Sequence, residues 1–106
     1  MKAVVVALAV TAGLGLSQAV LADEALAKAS GCLNCHNVEG AKKMGASFKD
    51  ISAKYKGKAD AEAKLTEFLT KSPKVKMGDG SEEEHKAVAS KDAVQVKNLV
   101  QWILAQ

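Results

Sequence analysis

The chain is short of the residues that usually build a large core or a nucleic-acid interface. Its 106 residues include no arginine, one proline and four aromatic side chains (two Phe, one Tyr, one Trp). Arginine makes most of the forked contacts to phosphate and guanine, so its absence and a net charge of only +3 argue against nucleic-acid binding. The length allows one small domain and leaves no room for an enzyme with separate cofactor and substrate domains.

The N-terminal segment has the pattern of a secretory signal peptide. Met1-Lys2 form a short positive region, residues 3–16 carry no charge, and residues 17–22 end in the small residue Ala22. This pattern predicts cleavage after residue 22 and export to a bacterial periplasm. The alternative is an uncleaved membrane anchor, because the apolar stretch approaches the length of a bilayer span. Gly13 and Gly15, which loosen a helix, and the polar residues that precede Ala22 favour cleavage. The expected mature domain is therefore residues 23–106, without a stable membrane anchor.

A domain of that size has a marginal hydrophobic core. Small exported domains usually compensate with several disulfides, a metal or a bound cofactor. The chain has only two cysteines, so a network of disulfides is excluded. We therefore expect a bound group to fill the interior.

The two cysteines lie in a single run, Cys32-Leu33-Asn34-Cys35-His36. Thiols at this spacing can add to the two vinyl groups of a haem, and the adjacent histidine then offers a ring nitrogen to the iron. A thioredoxin-like dithiol would need a βαβ pattern, which the chain lacks. A disulfide between cysteines three apart would be strained and would constrain almost nothing. The motif therefore predicts covalently bound haem.

Zinc is a further alternative for the same residues, with Cys32, Cys35, His36 and His85 as the four ligands. The usual zinc pattern pairs a Cys-x-x-Cys run with a second closely spaced pair of ligands. No such second pair follows in the sequence. Haem remains the favoured interpretation.

Hydrophobic periodicity predicts four helices, over residues 23 to about 30, 48 to about 56, 61–71 and about 92–105. Ser47 with Asp50 resembles a capping box for the second helix, and Asp60 is the expected cap of the third. Residues 72–80 are predicted to form an open loop that contains Met77. Residues 81–84 are predicted to begin a short helical turn that carries His85.

The attachment motif, residues 48–55 (FKDISAKY) and residues 99–104 (LVQWIL) together resemble the small class I c-type cytochromes of bacteria, of the c-551/c-552 kind. The resemblance covers nearly all of the expected mature chain. It implies an all-α fold of three to five helices around one covalently bound haem c, with the first and last helices crossing. It also implies that Tyr55 and Trp102 lie beside the haem, and that the protein is an electron carrier rather than an enzyme.

Two features depart from the family pattern. The family usually has a proline before the second helix, whose carbonyl accepts a hydrogen bond from the iron-bound imidazole. Here that stretch is residues 44–47 (MGAS), and the only proline is Pro73, so another carbonyl would have to accept this bond. The family also places its second iron ligand, a methionine, in a proline-rich loop that this chain lacks.

Two residues are therefore candidates for the second, distal ligand. Counting back from the Trp102 stretch places the family's methionine position on His85, and counting forward from His36 places it between Met77 and His85. We predict that His36 and His85 bind the iron, with Met77 as the alternative distal ligand and an open sixth position as a third arrangement. A second imidazole would lower the reduction potential relative to a thioether, whereas an open position would admit gases.

The predicted function is that of a monomeric periplasmic carrier cycling between Fe(III) and Fe(II). Some of its lysines would surround the exposed haem edge and attract acidic redox partners. One alternative is a haem-based sensor with a labile sixth site, and another is the haem subunit of a periplasmic oxidoreductase complex. The lysines in question are Lys42, Lys43, Lys49, Lys54, Lys56, Lys58, Lys74 and Lys76.

Overall fold

The computed structural model describes residues 23–106, and the predicted signal peptide lies outside them. The described chain is mostly helical, as predicted, with one small antiparallel hairpin. No helix in this part of the chain is long and apolar enough to cross a membrane. The elements in order are α1 (23–29), a 3₁₀ turn (Cys32–Asn34), α2 (Phe48–Tyr55), α3 (Ala61–Lys71), β1 (Lys74–Lys76), β2 (Glu82–Glu84) and α4 (Ala93–Leu104).

The ends of α1 and α2 follow from local sequence. Gly31 terminates α1 with a φ of 75°, in the left-handed region that glycine adopts without a steric penalty. The Ser47 hydroxyl accepts a hydrogen bond of 3.1 Å from the Asp50 amide at the start of α2. The predicted capping box of α2 is therefore confirmed for the bond that the Ser47 side chain accepts.

The caps of α3 and α4 differ from one another although both positions hold aspartate. Asp92 Oδ1 accepts hydrogen bonds from the amides of Val94 (2.8 Å) and Gln95 (3.4 Å). Asp60 makes no side-chain cap, contrary to the prediction, and instead pairs with Lys64 at 3.6 Å. The i,i+4 spacing places the Lys64 ammonium within reach of the Asp60 carboxylate. This ion pair competes with the backbone amides of α3 for the same carboxylate.

Helix α4 supplies the largest share of the hydrophobic core. Both α2 and α3 pack against it, and α1 adds the fully buried Ala27. The Ser52 hydroxyl also donates a 2.6 Å hydrogen bond to the Leu104 carbonyl, which joins α2 to the end of α4. The core residues of α4 are Val96, Leu99, Val100, Trp102 and Ile103.

Residues 72–84 correct the sequence prediction of an open loop followed by a helical turn. They form a hairpin in which Lys74 faces Glu84 and Lys76 faces Glu82. A run of glutamates favours a helix start by composition, but opposite charges directly across two strands stabilise the hairpin. The pairing continues beyond β2, because the amide of His85 donates to the Pro73 carbonyl at 2.8 Å. His85 is therefore positioned by a sheet and not by a helix.

The two aspartates provide a matched pair for testing the caps. Asp92→Ala should lower the free energy of unfolding by about 1 kcal/mol, because two amides at the start of α4 lose their acceptor. Asp60→Ala removes only an exposed ion pair and should cost less than about 0.5 kcal/mol. Urea unfolding of the purified protein, followed by circular dichroism, measures both. Equal losses would contradict the assigned caps.

Candidate functional site

A cavity of about 600 Å³ lies between the attachment motif, α2, α3 and the hairpin. Its volume is in the range of sites that enclose a small molecule or cofactor. Much of its wall is apolar, including Phe48, Ile51, Leu65, Leu69 and Ile103. All of the site residues predicted from the sequence line this one cavity, namely Cys32, Cys35, His36, Met77 and His85.

The 3₁₀ turn brings the two cysteines to the cavity wall. The carbonyl of Cys32 accepts hydrogen bonds from the amides of Cys35 (3.2 Å) and His36 (3.0 Å), which closes the turn. Both thiols are free and half-buried. Burial raises the pKa of the Cys32 thiol, and the nearby Lys86 ammonium opposes part of this rise. The turn thus presents two thiols and an imidazole to the same space.

His36 is held on several sides. Its Nδ1 donates to the carbonyl of Ala46 at 2.6 Å, so this carbonyl takes the role that the family gives to a proline carbonyl. The bond leaves Nε2 as the nitrogen available to a metal. The Phe48 ring stacks on the imidazole, with centroids 5.1 Å apart and planes at 20°. A methyl group added at Gly45 would lie 2.5 Å from His36 Cε1, so the backbone at Gly45 closely approaches the ring.

His85 faces His36 in the cavity. The two ring centroids are 6.2 Å apart, and Phe68 packs edge-on against His85 with centroids 5.8 Å apart. Burial lowers the pKa of His85, and the charge of His36 lowers it further, so the neutral imidazole is favoured. His85 Nδ1 is the one buried side-chain nitrogen or oxygen among residues 23–106 without a hydrogen-bond partner. An unpartnered buried nitrogen is costly, which indicates that this histidine does more than fill the core.

The two histidines fit a metal held between them. Metal–nitrogen bonds of about 2.0–2.1 Å on either side place the centres of two opposed imidazoles roughly 6 Å apart. The observed separation is 6.2 Å, and metal binding requires the neutral imidazole that burial favours. Over the described residues, no group of three or more His, Cys, Asp or Glu side chains is arranged as a metal cluster. The cavity therefore suits a haem between two imidazoles better than a zinc ion.

Met77, Tyr55 and Trp102 complete the comparison with the sequence. Met77 lies in the hairpin turn, where its amide donates to the Ser81 carbonyl at 2.7 Å, and it lines the cavity as the alternative ligand must. Tyr55 also lines the cavity, as the family resemblance implies. Trp102 does not line it, contrary to that expectation. Its ring instead packs edge-on against Phe48, with the ring centroids 5.5 Å apart. Trp102 thus supports the ring that stacks on His36.

Sequence reasoning missed the contacts that Gly45 and Phe68 make with the two histidines. Phe68 lies in α3, and no spacing rule connects a residue of that helix with a histidine that follows the hairpin. The sequence indicates a role for Gly45 only weakly, because this glycine lies in the stretch where the family has a proline and this chain does not. Both contacts depend on tertiary packing and not on local pattern.

The chain is similar in sequence and in structure to several known proteins. No protein-family model matches the chain. It is 37% identical over 89 residues to cytochrome c-551 of Allochromatium vinosum (84% of this chain, 90% of that protein) and 33% identical over 94 residues to cytochrome c-552 of Hydrogenobacter thermophilus (87% and 89%). The crystal structure of class 1 cytochrome MtoD from Sideroxydans lithotrophicus ES-1 is similar with a TM-score of 0.76 and 47% identity, covering 81% of this chain and 94% of that one.

Gly45→Ala tests whether the close approach at His36 matters. The added methyl must displace the imidazole, so we expect a loss of about 1–3 kcal/mol in stability and a changed ferric absorption spectrum of the haem-loaded protein. Gly40→Ala is the control, because it has a φ of 89° but no atom within 4 Å of the added methyl. It should cost about 1–2 kcal/mol of backbone strain and leave the spectrum unchanged. An unchanged spectrum in Gly45→Ala would refute the contact.

Proposed function

The chain belongs to the small class I c-type cytochromes, and we propose that it is a periplasmic carrier of single electrons whose iron is bound by His36 and His85. As a member of this family it carries covalently bound haem c and transfers electrons. The bound haem supplies a one-electron Fe(III)/Fe(II) couple. In this proposal the protein's own residues would attach the haem and orient two imidazoles toward it.

We assign the covalent attachment to Cys32 and Cys35, and the proximal position to His36. Both thiols and the imidazole face one cavity from a single short turn. The hydrogen bond from His36 Nδ1 to Ala46 fixes the tautomer and raises the basicity of Nε2, which strengthens an iron bond. Phe48 restricts rotation of the ring by stacking on it.

We assign the distal position to His85, and one observation carries this choice. The His85 ring lies 6.2 Å from the ring of His36, the separation expected for two imidazoles on one iron. The hairpin fixes its backbone through the bond to Pro73, and Phe68 orients the ring. A second imidazole stabilises Fe(III) more than a thioether does, so this ligation gives a lower potential than Met77 would.

Ligation of the iron by both His36 and His85 would favour electron transfer over the alternative functions. A sensor or a catalyst needs a free or labile iron position for its gas or substrate. In the proposed ligation, side chains of the protein fill both positions. The haem would then exchange electrons through its edge without making or breaking bonds to a substrate.

We further propose that the protein is exported as residues 23–106 and meets acidic redox partners as a monomer. Three lysines line the cavity, Lys54, Lys76 and Lys86, and their ammonium groups would attract acidic surfaces. Three acidic residues line it as well, Asp50, Glu83 and Glu84. The mixed charge favours brief encounters over a permanent complex, as a carrier requires.

His85→Ala, with Met77→Leu as the control, tests the ligation. The wild-type protein should be low-spin in both oxidation states, should lack a far-red ferric sulfur–iron band, and should not change its spectrum with carbon monoxide. His85→Ala should become high-spin and bind carbon monoxide stoichiometrically, because an alanine offers no ligand. Met77→Leu should retain the wild-type spectrum. A far-red band in the wild type that is lost in Met77→Leu would instead establish methionine as the ligand.

Intact-mass measurement of the exported protein tests attachment and cleavage together. We expect the mass of residues 23–106 plus one haem that survives denaturation, because two thioether bonds hold it. Cys32→Ala with Cys35→Ala should abolish this added mass. A mass that includes residues 1–22 would contradict cleavage, and haem lost on denaturation would contradict covalent attachment.

A further inference from the structure

The segment that carries His85, residues 85–89, is tied to the rest of the protein at three points. We call it the distal segment. The amide of His85 donates to the Pro73 carbonyl at 2.8 Å, and the amide of Val88 donates to the Leu69 carbonyl at 2.9 Å. The third bond runs from the amide of Ala89 to the hydroxyl of Ser30 at 2.9 Å. It is the only one of the three that a side-chain substitution can remove.

The Ser30 hydroxyl is placed to form this bond and little else. Ser30 is 3% exposed and is one of two buried polar residues among the described ones, the other being the cap Ser47. Its own amide donates to the Leu26 carbonyl at 2.9 Å, which fixes it at the end of α1. A buried hydroxyl without a partner would be costly, so the bond to Ala89 explains how a serine is accommodated here.

The position of Ser30 connects the two sides of the haem site. It lines the cavity and lies two residues before Cys32. The distal segment also meets this region through Lys86, whose Nζ lies so close to Gly31 that an added methyl there would approach it to 2.8 Å. The distal segment therefore contacts two parts of the protein: α3, and the residues that directly precede Cys32.

We propose that Ser30 is a positioning residue for the distal histidine, and that its hydrogen bond to Ala89 holds the distal segment closed over the haem. The proposal rests on the assignment of His85 as distal ligand. In the closed segment His85 stays on the iron and small ligands are excluded. Loss of the Ser30–Ala89 hydrogen bond frees the C-terminal end of the distal segment. The segment then unfolds locally more often, and His85 would leave the iron more often with it.

Ser30→Ala should therefore increase the rate at which carbon monoxide binds the ferrous protein. The net strength of one hydrogen bond corresponds to roughly a two- to tenfold rise in the open population. Carbon monoxide traps that open state, so stopped-flow measurement of the haem-loaded protein should show a rise of the same size. The ferric spectrum should stay low-spin, because His85 remains the majority ligand.

Ser52→Ala is the matched control. Ser52 also uses its hydroxyl in a side-chain-to-backbone bond across the fold, at 2.6 Å to Leu104, but it does not line the haem cavity. Its loss should lower stability to denaturant by an amount similar to Ser30→Ala and leave carbon monoxide binding unchanged. Equal acceleration in both variants would mean general destabilisation and would overturn the role of Ser30.

The outcomes separate this inference from the ligand assignment on which it rests. If His85→Ala keeps the wild-type low-spin spectrum, the ligation fails and the inference fails with it. If His85→Ala becomes high-spin but Ser30→Ala binds carbon monoxide at the wild-type rate, only the inference fails. Amide exchange in the wild-type haem protein is a test that needs no variant. The Ala89 amide should exchange at least about tenfold more slowly than a free amide, and free exchange would refute the bond.

Discussion

The structure depends on two imidazoles that face each other at 6.2 Å in an otherwise largely apolar cavity. A chain with four aromatic side chains has a marginal core, and its fold leaves a cavity lined by Cys32 and Cys35, the proposed attachment residues. Helices α2 and α3 and the hairpin each contribute to the wall of that space. The elements are thus arranged around the position of the haem, and α4 holds them together from behind.

The two histidines are held by different means. His36 is restrained by its neighbours, through the Ala46 carbonyl, the Phe48 ring and the backbone of Gly45. His85 is restrained mainly through its backbone, because strand pairing and the ties of the distal segment fix the chain that carries it. A carrier benefits from both, since ligands that stay in place in both oxidation states keep the structural change on electron transfer small.

The sequence predicted those parts of the molecule that depend on local chemistry. The attachment motif, the four helices and the cap Ser47 follow from short-range patterns, and all are present. The other expected cap, Asp60, makes no capping hydrogen bond. The hairpin was missed because three glutamates have low strand propensity alone, and only the lysines six and ten residues before their partners make the pairing favourable. The proximal carbonyl was left open for the same reason: which carbonyl reaches His36 depends on how the loop folds back, and composition does not encode it.

The two departures from the family pattern differ in what they change at the iron. The Ala46 carbonyl accepts a hydrogen bond from His36 Nδ1 at 2.6 Å. This bond makes the imidazole a stronger electron donor to a metal at its other nitrogen. With His85 as the proposed distal ligand, a second nitrogen replaces the thioether that the family pattern places there. The Ala46 bond stands in for the one that the family's proline carbonyl accepts, whereas the change of distal ligand would favour Fe(III) and lower the potential relative to a carrier with a methionine ligand. Where the family pattern has a proline-rich loop, this chain has a hairpin whose pairing fixes the backbone of His85 opposite His36. A proline-rich loop could not supply that pairing, because proline has no backbone N–H to donate.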